Sequence, residues 1–438
     1  MRPTRLSLLI LASTGLLAGL PTDALHAETW LRCGATVDVE AGTLTDARTL
    51  VVVDGRIDRI ERGHPAAPDA QEIIDLTGLT CLPGLMDMHT HLTSESSPSR
   101  YADRFTDDAA DVALQSVEYA RETLTAGFTT VRDLGDSYNA SIALRDAIDR
   151  GVVPGPRIYT SGKSLATTGG HADPTNGWRA DLMGAPAPRD GVLNGAAEAR
   201  EAVRQRYKDG ADLIKVTITG GVLSVARSGM NPQFRPDEIE AVIETAADYD
   251  MHVAAHAHGA EGMKRAIRAG IHSIEHGTYM DDEVIELMIE NGTWFVPTIS
   301  AGKFVAEKAE IDGYYPEVVR PKAATIGPLM QDTFGRAHAA GVRIAFGTDC
   351  GVCYHGDNAQ EFGFMVEAGM SPADALRSAT LNAAELLGVE DRAGRLAPGY
   401  WADVVAVEGN PLEDVSLLTD IRFVMKDGTV FVPVSAAR

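Results

Sequence analysis

The sequence predicts an α/β chain: a (β/α)8 TIM-like barrel carrying a small β-sandwich domain built from both chain ends. Three observations predict it. The middle of the chain alternates short apolar runs with amphipathic stretches, the pattern of parallel strands joined by helices. Polar, chemistry-bearing residues fall at the C-terminal ends of those apolar runs, the face where such barrels build their sites. Both termini instead carry hairpin patterns. At 438 residues and 45% hydrophobic composition, the chain can bury one large core and a smaller one.

Residues 1–27 read as a signal peptide. Arg2 and Arg5 give a positive start, Leu6 to Leu20 is apolar but short for a membrane span, and Ala24-Leu25-His26-Ala27 offers a small residue for cleavage. Leu25 departs from the preferred small residue, which places the cut only to within a few residues. No cysteine follows closely enough for a lipid anchor, so the expectation is an exported protein, periplasmic or secreted, without a stable membrane anchor after cleavage.

Residues 28–80 read as the first part of the β-sandwich. Thr49 to Val53, Asp54-Gly55 and Arg56 to Ile60 form a hairpin pattern with an Asp-Gly turn. Residues 81–396 read as the barrel, with strands ending near His89, Asp133, Ser161, Lys215, His256, His276, Thr298 and Asp349. Eight strand–helix units in about 260 residues match the barrel repeat. Pro236 opens one helix; Ser371-Pro372 opens another that Gly388 closes. Residues 397–438 return to strands, with Lys426-Asp427-Gly428 turning a second hairpin.

The net charge of −23 becomes −24 once residues 1–27, with Arg2, Arg5 and Asp23, are removed. Such acidity disfavours nucleic acid and anionic membrane surfaces as partners. A small-molecule substrate answers to the local field of its pocket instead. Cys33, Cys81, Cys350 and Cys353 are too few for a disulfide scaffold. Cys350-Gly-Val-Cys353 lacks the second pair of a structural zinc site. Buried free thiols, or one bridge in an oxidising compartment, are expected.

Lys215 lies in the apolar run Ala211-Asp212-Leu213-Ile214-Lys215-Val216-Thr217-Ile218. An ammonium there must lose its charge, find a partner or bind metal. His89 and His91 are two apart on a strand end, so both can face one ion. His256 and His276 end successive apolar strands, and Asp349 ends Gly347-Thr348-Asp349. Each alone has an ordinary structural reading; together they favour metal. His252 and His272, four residues earlier, read as structural.

Pro83-Gly84-Leu85-Met86-Asp87-Met88-His89-Thr90-His91, Ile214-Lys215, Val253-Ala-Ala-His256, Ile274-Glu275-His276-Gly277 and Gly347-Thr348-Asp349 resemble the motifs of the amidohydrolase superfamily, in its order and over nearly the whole mature chain. The resemblance implies a site of two divalent ions, usually Zn2+, with a CO2-derived carboxylate on Lys215 bridging them. It implies that His89, His91 and Asp349 hold one ion and His256 and His276 the other. A bridging hydroxide would attack, and Asp349 would carry the proton to the leaving amine.

Gly169-Gly170-His171-Ala172-Asp173, Thr219-Gly220-Gly221-Val222 and His256-Ala257-His258-Gly259-Ala260 resemble the imidazolonepropionase-like branch. That branch includes Xaa-Pro dipeptidases, carboxypeptidases and ochratoxin-hydrolysing enzymes; true imidazolonepropionases are mononuclear and lack the lysine. The implied reaction releases a C-terminal amino acid from a dipeptide or N-acyl amino acid, ochratoxin A among them. A grip on the free carboxylate is then needed, and His171, Arg227, His258 and His355 are the candidates. A phosphotriesterase- or lactonase-like hydrolase is the alternative on the same site. A mononuclear deaminase would not need Lys215, and a non-enzymatic binding protein is disfavoured because no ligand is lost. Related enzymes often form homo-oligomers.

Overall fold

A computed structural model describes residues 28–68, 71–226 and 229–433. The expected signal segment 1–27 and Arg227 lie outside the described residues. Three parallel strands, Leu85–Thr90, Phe128–Asp133 and Arg157–Thr160, form one ladder. Four more, Ile214–Thr217, Val253–Gly259, Ser273–Tyr279 and Trp294–Val296, form a second. Nearly every residue of these seven is buried. That is why they read as unbroken apolar runs rather than as alternating ones.

Individual hydrogen bonds join the ladders at two seams. At one, Asp212 N donates to Thr160 O (2.8 Å) and Leu165 N to Lys215 O (2.7 Å). At the other, residues 343–349 lie between Trp294–Val296 and Leu85–Thr90. Phe295 N donates to Arg343 O (2.8 Å), Met88 N to Phe346 O (2.8 Å) and Asp349 N to His89 O (2.7 Å). Eight segments thus ring the axis, the eighth bonded on both sides without forming a regular strand.

Helices cover the outside, and their sequences show why they start where they do. Ala109–Thr125 opens on a reciprocal cap between Asp108 and Asp111. Pro236–Ala247 carries its proline in the first turn, where the missing N–H costs nothing. The helix expected from Ser371 to Gly388 is instead two, Pro372–Ser378 and Leu381–Leu387. The break frees the carbonyls of Ser378 and Ala379, which accept from Phe346 N (3.0 Å) and Met86 N (2.8 Å) on the barrel. Among the described residues no helix is long and apolar enough to cross a membrane.

The two chain ends form one eight-stranded sheet. Glu72–Pro83 lies at its centre, parallel to Thr29–Asp38 and antiparallel to Val404–Val407. The sheet curls so that its edge strand Arg56–Arg62 meets the segment leading into Val404–Val407: Ile57 N donates to Tyr400 O (2.9 Å) and Ala402 N to Gly55 O (2.8 Å). Leu31, Leu50, Val52, Val404, Phe423 and Met425 fill the interior of the curl. The cysteines depart from expectation by forming two bridges. Cys33 and Cys81 lie on the paired parallel strands with Cα atoms 5.9 Å apart. Cys350 and Cys353 are brought to 4.4 Å by a turn through Gly351, at φ +102°.

A cap crosses the C-terminal end of the barrel. Helices Ile299–Lys308 and Arg320–Ala340 pack through Val305, Ala309, Tyr314, Tyr315 and Ile326, and Tyr101, Leu223 and Val352 from three barrel loops join that cluster.

Candidate active site

His89 ends the first barrel strand and His91 follows it, both facing Asp349 at the end of the eighth segment. Asp349 Oδ1 lies 3.5 Å from His89 Nε2 and 3.3 Å from His91 Nε2. One ligand atom from each of the three falls within 4.8 Å of the others. Lys215 Nζ is 3.4 Å from His89 Nε2. The ring of His276 stands 5.0 Å from that of His89 and 4.7 Å from that of His256. All six residues singled out in the sequence for metal binding therefore meet at the barrel mouth. His276 and Asp349 hold left-handed backbone at φ 72° and 59°, as does Thr298 between them in sequence at 54°. Such strain persists only where the surroundings enforce it, and it clusters at functional sites.

The tautomers are set from behind. His89 Nδ1 contacts Glu275 Oε2 (2.9 Å), His91 Nδ1 contacts Gly135 O (2.8 Å), and His276 Nδ1 contacts Thr298 Oγ1 (2.7 Å). Each pins the ring and leaves Nε2 for the interior. His256 differs, with Nε2 against Gly220 O at 3.1 Å. Burial and the Lys215 charge bring His89 down to about 4. Burial and neighbouring imidazoles hold His256 and His276 well below the usual range. Burial brings Lys215 down to about 8. Burial opposes charge on Asp349 and His91 as well, but attraction to His89 and His91 lowers the carboxyl, and the hydrogen bond and attraction to Asp349 raise the His91 imidazole. Neutral imidazoles, an ionised carboxylate and a readily neutralised amine form a donor set that fits a divalent cation.

Several supporting residues escaped the sequence reading. Glu275 is fully buried and accepts from Arg132 Nη2 (2.8 Å) and Ser273 Oγ (2.6 Å) as well as from His89. Arg132 Nε donates to Met88 O (2.6 Å), beside His89. Asp87 accepts from Thr348 N, Thr348 Oγ1 and Asn358 Nδ2 at 3.1, 2.7 and 2.8 Å, latching the first strand to the eighth segment. Burial raises Asp87 to about 6 and Asp133, which accepts from Leu92 N (2.7 Å), to about 7. A charged residue inside an apolar run, the signal that exposed Lys215, was equally present at Arg132 and Glu275.

Of the residues expected to bind substrate, His171 stacks on His256 at 4.3 Å, its Nδ1 against Ser224 Oγ. His258 stacks on His276 at 5.1 Å with Nδ1 2.7 Å from Thr278 Oγ1. Burial keeps them neutral, at about 3 and about 4. Gly221 must be glycine, since a Cβ there would lie 2.2 Å from the His171 ring. His355 stacks on Tyr119 at 4.8 Å, with Nε2 3.0 Å from Ser94 O and Nδ1 3.4 Å from Thr123 Oγ1. Both of its nitrogens are engaged. His252 and His272 stack on each other at 4.7 Å, and His272 Nε2 lies 3.0 Å from Leu386 O.

The family model described as Amidohydrolase family matches residues 80–434. The chain belongs to the amidohydrolase family. This amidohydrolase is a hydrolase of amide or peptide bonds. It is 36% identical over 373 residues to Ochratoxinase of Aspergillus niger, covering 80% of this chain and 75% of that one. A solved Xaa-Pro dipeptidase with methionine bound in its active site is 52% identical, with a TM-score of 0.90 over 92% of this chain and 99% of that chain. A prolidase complexed with N-methylphosphonate-L-proline is 32% identical, with a TM-score of 0.85 over 93% and 100%.

Proposed function

We propose that this amidohydrolase uses two divalent ions, Zn2+ by preference, to release a C-terminal amino acid from a dipeptide or N-acyl amino acid. The observation that carries this reading is Lys215 Nζ standing 3.4 Å from His89 Nε2. The neutral Lys215 amine would take up CO2 with loss of a proton, and the resulting carboxylate would add an anionic donor to the set that holds the ions. His89, His91 and Asp349 would hold one ion, and His256 and His276 the other. Bound there, the ions lower the pKa of water from ~15.7 toward ~7 and polarise the scissile carbonyl.

Asp349 Oδ1, facing both His89 and His91, takes the proton of the attacking water and returns it to the leaving amine. His171 and His258 stack on His256 and His276, the residues that would hold the second ion. Lys322 Nζ donates to Gly221 O, Ser224 O and Ala226 O at 3.1, 2.9 and 2.8 Å, holding the loop that carries the partner of His171. The relatives named ochratoxinase, Xaa-Pro dipeptidase and prolidase support an amide whose leaving group is an amino acid. Two disulfides support export to an oxidising compartment.

The test is a screen of N-acyl amino acids and dipeptides, ochratoxin A included, with the zinc-loaded mature enzyme. Hydrolysis that falls sharply when the substrate carboxylate is amidated is the expected result. Equal rates on free and amidated substrates would overturn the reading, and turnover of phosphotriesters or lactones alone would favour the alternative. Lys215→Ala should lose bound metal and hydrolysis, and a short carboxylic acid should restore part of both. Full metal content in that variant would refute the bridge.

A further inference from the structure

Lys322 is a cation placed against ordinary expectation. It lies in the first turn of the helix Arg320–Ala340, where unpaired backbone N–H groups favour negative charge. Burial shifts its amine downward, and no carboxylate among the described residues acts on it. Its three donors are all spent on one loop. Gly221 O, Ser224 O and Ala226 O converge on Nζ at 3.1, 2.9 and 2.8 Å. Without the ammonium, the three carbonyls would face one another with no donor between them.

The loop 220–226 serves one half of the site. Gly220 O meets His256 Nε2 at 3.1 Å. A carbonyl can only accept, so it keeps the ring proton on Nε2 and leaves Nδ1 as the lone-pair donor. Ser224 Oγ contacts Nδ1 of His171, whose ring stacks on His256 at 4.3 Å. The cap helices reach His276 as well. Thr298, whose Oγ1 contacts His276 Nδ1, is the residue from which Ile299–Lys308 starts. Thr333 on Arg320–Ala340 donates to Thr278 O (2.8 Å), and Thr278 Oγ1 contacts His258 Nδ1 (2.7 Å) where that ring stacks on His276. His89, His91 and Asp349 take their contacts from elsewhere. Glu275 Oε2 and Gly135 O hold the two rings, and the Asp349 backbone bonds to His89 O and Val352 N.

We propose that Lys322 is a positioning residue for the second ion alone: it fixes the loop 220–226 from the cap and so sets how tightly His256 and His276 bind. This rests on the two-ion reading above. The ion of His89, His91 and Asp349 is then held by the barrel, and the other by the barrel and the cap together. Releasing the ammonium frees Gly220 O and Ser224 Oγ to move, and His256 loses the contacts that fix its proton and its ring. The two ions therefore differ in how they depend on the cap, although their ligands stand side by side.

The experiment measures zinc affinity by chelator competition, and zinc per chain after dialysis, for wild type, Lys322→Met, His276→Ala and the double variant. Wild type should bind two ions. Lys322→Met should weaken one of them about tenfold to a hundredfold and leave the other unchanged. In His276→Ala, which keeps only the first ion, adding Lys322→Met should change nothing, as expected of two residues that act on the same ion. In Lys322→Ala, propylammonium, the fragment removed, should restore part of the lost affinity, and propanol should not. Two ions of unchanged affinity in Lys322→Met overturn this inference and spare the functional reading. Equal weakening of both ions, or a further loss in the double variant, makes Lys322 a general support of the fold and overturns its assignment to one ion. A single ion per wild-type chain overturns the two-ion reading and this inference with it. Lower stability alone would not weaken one ion and spare its neighbour, so the split between the two affinities separates positioning from folding.

Discussion

Glu275 shows how much of this site depends on residues that touch no substrate. It holds His89 by Nδ1 and is held by Arg132, an ion pair with both side chains 0% exposed. Removing one partner of such a pair strands the other charge in the interior. Glu275→Gln keeps the volume but loses the charge, so His89 is less basic and less firmly oriented. Zinc affinity should fall about tenfold to a hundredfold, read by competition with a chromogenic chelator; unchanged affinity would remove Glu275 from the metal machinery. The Arg132 guanidinium and His89 hold Glu275 down at about 2 against burial. Its stabilisation is therefore present above its ordinary 4.5 and lost as pH falls toward 2. The residues that gather at the barrel mouth were legible in the sequence because a lysine in a buried strand and histidines at strand ends have few innocent explanations. The Arg132–Glu275 pair was not, because its members are 143 positions apart and only closure of the barrel brings them together.

At the scale of elements, the sequence reading succeeded where burial dictates residue type. The seven barrel strands end within a few residues of their expected positions, because a strand covered on both faces must be apolar throughout. It failed where a tertiary contact decides, as at the break after Ser378, where barrel amides capture carbonyls a continuous helix would use. Glu361 is another such contact. It lies on Gln360–Glu367 but accepts from Ile299 N (2.8 Å), Ser300 N (2.6 Å) and Ser300 Oγ (2.7 Å), capping the helix that begins beside Thr298, the partner of His276. Burial lifts it to about 7 from an ordinary 4.5. Its protonated form is favoured in the fold, so its contribution is full below 4.5 and lost as pH rises through 7. Melts from about pH 4 to about pH 8 should show wild type losing ground on Glu361→Gln; a gap flat with pH would contradict this. The Cys350–Cys353 bridge makes a further prediction. Cys350 O accepts from His91 N (2.7 Å), and a Cβ on Gly351 would lie 2.7 Å from His91 Cβ, so this turn sets the spacing of two proposed ligands. Replacing both cysteines by serine should cut kcat/KM about tenfold or more with a small change in Tm. Unaltered kcat/KM would show that the turn holds without its bridge.

The whole molecule joins a barrel, which carries the chemistry, to a sheet that carries none of the proposed metal ligands. The Cys33–Cys81 bridge closes a 48-residue separation within that sheet. Chain-entropy reasoning puts its stabilisation at about 4 kcal/mol. Cys33→Ala with Cys81→Ala should lower unfolding free energy toward that amount while leaving zinc content intact; loss of zinc at 25 °C would mean the sheet and the metal centre are energetically one unit.

The curled sheet also bears on how the chain is made. Thr80 Oγ1 donates to Gly409 O across 329 residues, and Glu72–Pro83 finds its antiparallel neighbour only in Val404–Val407. During synthesis, the central strand waits with one edge open until Val404–Val407 has emerged. A chain stalled or clipped ahead of Val404 would display that edge, a template for pairing with other copies. Arrival of Val404–Val407 and protection from self-association are therefore the same event.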